Sequence, residues 1–431
     1  MPPADAARAA SRSDPEVARD GGTLTPDPGP LSGLLVLDLG QAAVGPVAAT
    51  WLGMLGATVV KVEPPAGDMV RRGNPTMRGT SCTFVGNNLG KRSVVLDLKA
   101  PAGRAALERL VAKADVLIEN FRSADIMERL GLGYEAVLAP LNPRLVYVQS
   151  SAFGPRGPWV GMYSDEWVTE CVSGFASASG EAGGPGEITR GAAPLDWNGA
   201  MLNTVACLAA LAQRARTGRG TRILASQFGA SLFAGLTRIA ELDATGDVPR
   251  PMGSASAWTV PDQAFRTADG WLLVAAPTDR FWTRLCGALG LTALAADPRL
   301  ATAEGRVAHR GSVVAALSDA LRARTTEAWR ACLREADVPC SAVAPPGPLS
   351  EWLLAHPQVA ANGLLRRIDS AFGPILTQSP HWRFEHTPAS IARPSPTLGA
   401  HTEAVLASID AWRPWPVPAP GDARPDGCLA G

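Results

Sequence analysis

The strongest constraint in this chain is its alternation of short apolar runs with helix-like stretches. Residues 33–39 (GLLVLDL) form an apolar run flanked by Gly33 and Gly40, the pattern of a buried strand. Gly45-Pro46 then opens a helix-like segment ending near Gly53–Gly56, with proline where helix starts favour it. Further strands are expected at Thr58–Val62, Ser93–Leu98, Asp115–Glu119 and Leu145–Gln149, with helices between several of them, such as 101–113. This alternation predicts an α/β fold built on a parallel sheet covered on both faces. Residues 197–216 read as a long helix rich in Ala and Leu, closed by Thr217-Gly218-Arg219-Gly220.

After about residue 245 the character changes. Pro249, Pro251, Gly253 and a Ser/Ala stretch read as a linker, and 263–340 as a small unit of its own. It carries a strand at Trp271–Ala276, helices around 279–289, 311–323 and 325–335, and a strand near Pro339–Ala344. The expected boundaries are a disordered extension (1–29), the first part of a large domain (30–245), a small domain (250–340), a return to the large domain (341–410) and a flexible tail (411–431). A length of 431 residues suits two or three domains or one elaborated fold.

The first 29 residues hold no apolar run for a secretory signal, and Asp5, Asp14, Glu16, Asp20 and Asp27 argue against a mitochondrial transit peptide. No unbroken apolar run reaches the roughly 18 residues of a membrane span. A cytoplasmic protein with no membrane partner is expected. Lys plus Arg and Asp plus Glu both number 40, so the net charge is zero and nucleic acid is not an expected partner. Only four of the basic residues are lysine, Lys61, Lys91, Lys99 and Lys113, all in one short stretch. The seven cysteines (Cys82, Cys171, Cys207, Cys286, Cys332, Cys340 and Cys428) form no CxxC and read as free thiols. The five histidines, from His309 to His401, lie late in the chain without metal-ligand spacing, so no metal site is expected.

The familiar catalytic motifs are absent. There is no GxSxG, no phosphate-binding GxxxxGK[ST], and no GxGxxG after the first strand. What remains is a set of acids. Asp196 stands just before the long Ala/Leu helix, where exposed N–H groups favour negative charge; it reads as an ordinary cap or as a functional carboxylate. Glu166 lies in an amphipathic helical stretch and, taken alone, reads equally as a solvated surface acid.

A succession of segments carries a family resemblance. They are LSGLLVLDLG (31–40), GP (45–46), LGATVVKVEPPAGD (55–68), GKRSVVLDLKAPAGRAAL (90–107), ADVLIENFR (114–122), ERLGLGYE (128–135), NPRLVYVQSSAFGPRGP (142–158), RARTGRG (214–220), TADGWL (267–272), AHPQVAANGLL (355–365) and PSPTLGAHTEAVL (394–406). In this order the chain resembles the class III CoA-transferases, the group of formyl-CoA and carnitine CoA-transferases, whose fold α-methylacyl-CoA racemases share. The resemblance implies a Rossmann-like large domain made from both ends of the chain, an inserted small α+β domain and an interlocked dimer. It implies CoA transfer from an acyl-CoA thioester to a free carboxylic acid through an aspartyl mixed anhydride and an aspartyl-CoA thioester. Coenzyme A is then a substrate, and no tightly bound cofactor is expected. A homodimer is expected, with a heteromer as the other possibility.

Residue by residue, the acyl-carrying aspartate falls on Asp196 and an assisting acid on Glu166. The CoA-contacting positions fall on Leu96, Lys99, Asn120 and Phe121, and on Arg129 across a one-residue insertion. Such chemistry needs a carboxylate nucleophile, held ionised by the helix N-terminus, and backbone donors for an oxyanion, which the sequence does not identify. CoA's phosphates need cations: Lys99 and Arg129, with Arg71, Arg72 and Arg92 as nearby candidates. A racemase would use a His and Asp pair, and no histidine precedes His309. A non-catalytic partner subunit would be expected to lack Asp196. Ser164-Asp165 and MGSASAWTVPD (252–262) depart from the family pattern, so its usual substrate contacts do not carry over. Trp167, Trp197 and Trp258 are candidates either for a pocket taking a bulky or aromatic acid or for core positions.

Overall fold

A computed structural model describes residues 24–344 and 349–413. The described chain divides into two compact units. The first holds the described residues up to Ser173, then Arg190–Ala240, then those from Ala361 onward; the second holds Gly174–Thr189 and Glu241–Ala360. The second unit is thus wider than the span 250–340 and takes in a segment from before the long helix.

The first unit is built on six strands: β1 (Leu35–Asp38), β2 (Thr58–Glu63), β3 (Lys91–Val95), β4 (Val116–Glu119), β5 (Val146–Ser151) and β6 (Thr221–Ser226). Their order is β3-β2-β1-β4-β5-β6, and every neighbouring pair is parallel. This is the doubly wound arrangement in which the strand order reverses between β1 and β4, opening a crevice beyond their carboxyl ends. The apolar runs alternate across the sheet. Leu35, Leu37, Val60, Val62, Leu117 and Tyr147 face one core, which Leu107, Leu110 and Val111 complete. Val36, Val59, Val116, Ile118, Val146 and Val148 face the other. Two helices close that second face: α1 (Val44–Met54) through Val47, Ala48 and Leu52, and α4 (Pro194–Thr217) through Ala200, Cys207 and Ala210. Between them in sequence lie α2 (Pro101–Val111) and α3 (Glu166–Ser173).

Residues near both described ends are packed. Leu24 and Trp412 lie in the first core beside Val405 and Ile409, and Asp27 forms a two-pronged ion pair with Arg393 at 2.7 and 2.9 Å. Residues 24–29 and 411–413 therefore depart from the expected disordered extension and flexible tail: each end carries an apolar side chain the core needs. The rest of those two segments, 1–23 and 414–431, lies outside the described residues.

The second unit has a three-stranded antiparallel sheet with Trp271–Ala275 between Asp262–Arg266 and Cys340–Ala342. Helices Asp279–Leu289, Arg310–Leu321 and Thr326–Glu335 pack on it through Trp282, Leu285, Val313, Leu317, Trp329 and Leu333. Among the described residues no helix is long and apolar enough to cross a membrane.

Candidate active site

The loop that leaves β1 lies at the strand reversal and is clamped by side chains. The Gly40 N–H donates to Asp38 Oδ1 (2.8 Å) and its carbonyl accepts from Lys61 Nζ (2.8 Å). Asn120, just past β4, accepts from the Gln41 N–H (2.7 Å) and donates to its carbonyl (2.8 Å). The Ala42 N–H donates to Asp68 Oδ1 (3.2 Å), while Asn87 Nδ2 donates to the Ala42 carbonyl (3.0 Å). Ala42 sits at φ +61°, a conformation that needs such support. Below this loop Lys61 and Lys91 are wholly buried, pairing with Asp68 (2.9 Å) and Asp38 (2.7 Å) respectively. Burial opposes ionisation of Asp38, yet the two lysines outweigh it and hold its carboxyl below the usual range.

The positions matched to CoA contacts divide by environment. Leu96, just after β3, is buried. Phe121 packs against the first core, and its N–H donates to Glu119 Oε2 (2.6 Å). Glu119 also accepts from the Tyr147 hydroxyl (3.0 Å), and burial pushes its carboxyl up to about 7. Lys99 is exposed and pairs with no carboxylate among the described residues. Arg129 is exposed and pairs with Asp125 at 3.2 Å. The nearby arginines are mostly occupied. Arg71 is buried against Glu63 with contacts of 2.6 and 2.7 Å, and Arg92 is buried with Asp27 3.7 Å away; Arg72 alone of the three is exposed. Of the four lysines, two are therefore interior counter-charges rather than ligand-facing cations.

The two acids singled out by sequence meet. Asp196 lies in the first turn of α4, two residues after Pro194, and not before the helix. Glu166 opens α3, is buried, and spends both carboxylate oxygens on the start of α4. Oε1 accepts from the Leu195 N–H (2.9 Å) and Oε2 from the Asp196 N–H (2.5 Å). The cap of this helix is therefore Glu166 and not Asp196. This corrects the expectation that the helix N-terminus holds Asp196 ionised, because the donors that would do so are already taken. Burial, then the charges of Glu166 and Asp165, push the Asp196 carboxyl up to about 7. Burial also raises Glu166, against the two backbone hydrogen bonds that favour its ionised form.

One partner that sequence reading missed completes the cluster. Gln227, the first residue of α5 (Gln227–Ala234), is buried and donates from Nε2 to Asp196 Oδ1. Its Oε1 accepts from Thr169 Oγ1 (3.1 Å) on α3. The available signal was position: Gln227 follows directly on β6, and carboxyl ends of parallel strands are where α/β sites form. Arg190 stacks over the Trp167 ring, 4.7 Å from its centroid, and forms no ion pair among the described residues. Trp197 is exposed, and Trp258 belongs to the second unit. Histidine takes no part in this cluster; His401 accepts from the Ser93 N–H at 3.1 Å.

Comparison with known proteins bears on most of the chain. Residues 31–402 match the family described as CoA-transferase family III. The succinate–glutarate CoA-transferase of Agrobacterium fabrum is 34% identical over 394 residues, covering 88% of this chain and 96% of that protein. The acetyl-CoA:oxalate CoA-transferase of Acetobacter aceti is 36% identical over 340 residues, covering 78% of this chain and 85% of that one. A crystal structure of a CAIB/BAIF family protein from Brucella suis superposes with a TM-score of 0.77 at 32% identity, covering 89% of this chain and all of that one.

Proposed function

The chain belongs to CoA-transferase family III, and from that premise we propose that Asp196 carries the acyl group and then CoA. Asp196 attacks the acyl-CoA carbonyl to give a mixed anhydride; the CoA thiolate then attacks the aspartyl carbonyl, and the donor acid leaves. The acceptor acid retraces these steps in reverse. The observation that carries this reading is a carboxylate in a helix's first turn, raised to about 7 and deprived of its own helix's N–H groups. Such a carboxylate is a better nucleophile than one stabilised by those donors, and it is largely ionised above neutral pH. Glu166 assists by fixing the start of α4. The interrupting test is Asp196→Ala. It is expected to lower turnover by roughly 10⁴-fold or more and to abolish the CoA adduct seen by mass spectrometry on mixing with acyl-CoA; full turnover in that variant would refute the assignment.

CoA is proposed to lie at the strand reversal, along Leu96, Asn120 and Phe121, with Lys99 and Arg129 meeting its phosphates. The rigid loop at Gly40–Ala42 and the unpaired, exposed Lys99 support this reading. The acceptor is proposed to be a dicarboxylic acid, as the names of the two relatives above state for their own substrates. Arg190 supports it, since its guanidinium covers one face of Trp167 and keeps its edge donors for a second carboxylate. This arrangement disfavours Trp167 as the wall of a pocket for an aromatic acid.

A dimer of this chain is proposed as the working form. Met201 and Val205 on α4, with Phe233 and Leu236, are 49–59% exposed apolar side chains of the kind a second copy would cover. A cytoplasmic setting is likewise proposed. The six described cysteines, all free thiols, support it.

A further inference from the structure

Asp196 plays two opposed roles in the proposed reaction. It is the nucleophile when it attacks the donor thioester, and it is the electrophile when CoA thiolate, and later the acceptor acid, attacks its own Cγ. In each electrophilic step Cγ becomes tetrahedral, and the aspartyl oxygen that stays bound takes up the negative charge. The backbone N–H groups of Leu195 and Asp196, at the start of its helix, donate to Glu166 and not to that oxygen.

We propose that Gln227 is a catalytic residue of this reaction, the oxyanion donor for attack on the Asp196 carbonyl carbon. Among the described residues it is the one hydrogen-bond donor to the Asp196 side chain, and it contacts Oδ1 alone. Its amide cannot turn round while Asp196 is ionised, because its oxygen would then face another acceptor. Gln227 is buried, and its oxygen lies 3.1 Å from Thr169 Oγ1, a hydroxyl it shares with the Asp165 carbonyl at 2.8 Å. Oδ2 is thereby left as the attacking atom. It forms the bond to the donor acyl carbon as the C–S bond breaks and CoA thiolate departs. The thiolate next attacks Cγ, the Cγ–Oδ2 bond breaks, and Oδ2 leaves with the donor as its carboxylate. An acceptor carboxylate oxygen then attacks Cγ and expels the thiolate, which attacks the acceptor's carbonyl carbon and returns Asp196 to a carboxylate. Oδ1 stays on Cγ throughout, and the Gln227 Nε2–H group faces it in both steps where charge builds there. A preorganised donor aimed at that oxygen costs no reorganisation when the charge develops.

The inference rests on Asp196 being the acyl carrier, and the test separates the two. Gln227→Met is mixed with acyl-CoA and no acceptor, with hydroxylamine present to trap the mixed anhydride as the donor hydroxamate. Mass spectrometry follows the CoA adduct on Asp196. The adduct is expected to form about 10²–10³-fold more slowly than in the unaltered protein, while the donor hydroxamate, taken above its enzyme-free rate, forms at nearly the unaltered rate and shows that the variant is folded. Gln227→Glu, whose ionised side chain has no donor, is expected to show the same imbalance, which narrows as falling pH gives it a proton. An adduct rate unchanged in both variants, or an equal loss of both products, overturns the proposal. A CoA adduct in Asp196→Ala, or donor hydroxamate forming faster than in an enzyme-free control, overturns the underlying reading instead.

Discussion

Two groups of acids in the first unit have opposite fates. Asp38 and Asp68 are buried with Lys61 and Lys91, and the lysines turn burial into a clamp on the loop after β1. Glu166 and Asp196 have no lysine or arginine in an ion pair among the described residues. Backbone N–H groups hold Glu166, and the Gln227 amide faces Asp196. The first arrangement lowers a carboxyl pKa and fixes backbone; the second raises one and leaves an oxygen available. In the first group the cationic partners outweigh desolvation and hold the carboxylate ionised; in the second no cation among the described residues offsets it.

The contrast breaks most sharply at the lysines. Asp38→Asn leaves Lys61 and Lys91 undercompensated in the interior, and its expected cost is about 3–5 kcal/mol, read by urea unfolding. A loss below 1 kcal/mol would show that the clamp is not the structural element described. At the other site, Glu166→Gln deprives one helix N–H of its acceptor, an effect worth about 1.5–3 kcal/mol for a charged hydrogen bond. A fall in kcat of roughly 10- to 100-fold is expected with it. Because the Glu166 charge helps raise Asp196, the ionisation that limits kcat/KM on the acid side should also move to lower pH. An unmoved pH profile would count against that coupling.

A quieter effect is thermodynamic. Asp196 has a folded-state pKa raised to about 7 from 3.8. The folded chain therefore binds the proton more tightly than the unfolded chain, and stability falls as pH rises through this window. Asp196→Asn removes that penalty. It should be the more stable form above pH 7 by on the order of 1–3 kcal/mol, with the gap closing toward pH 4; thermal melts across pH read it directly, and a gap that does not change with pH would sink the argument. The smallest effect concerns Arg190. Arg190→Ala is expected to raise KM for a dicarboxylic acceptor by about tenfold, a contact worth near 1.4 kcal/mol, and to leave a monocarboxylic acceptor unchanged. Equal changes for both acids would remove Arg190 from recognition.

Much of the sheet was legible because its strands are apolar on both faces. The expected runs 33–39, 58–62, 115–119 and 145–149 each overlap an observed strand. β6 (TRILAS) went unread, since Arg222 and the polar ends of the run break the apolar pattern. Gln227 was hidden with it, because only the presence of β6 marks its position as the carboxyl end of a strand. Glu166 and Asp196 were singled out through family resemblance, but their contact spans 30 positions of sequence, and local patterning says nothing at that range. The lysines were misweighted for the same reason. Their crowding into residues 61–113 is visible, whereas the burial of Lys61 and Lys91 depends on which strands become neighbours.

By itself the sequence determined an α/β fold and the family, and it singled out the two acids on which the proposed site rests. Apolar periodicity and ordered local motifs are properties of neighbouring residues, and they survive without coordinates. Only the tertiary structure decided which acid caps the helix, which lysines are spent on buried carboxylates, and which amide faces Asp196. Those outcomes depend on desolvation and on hydrogen-bond donors that each serve one acceptor, quantities that exist only once distant segments have packed together.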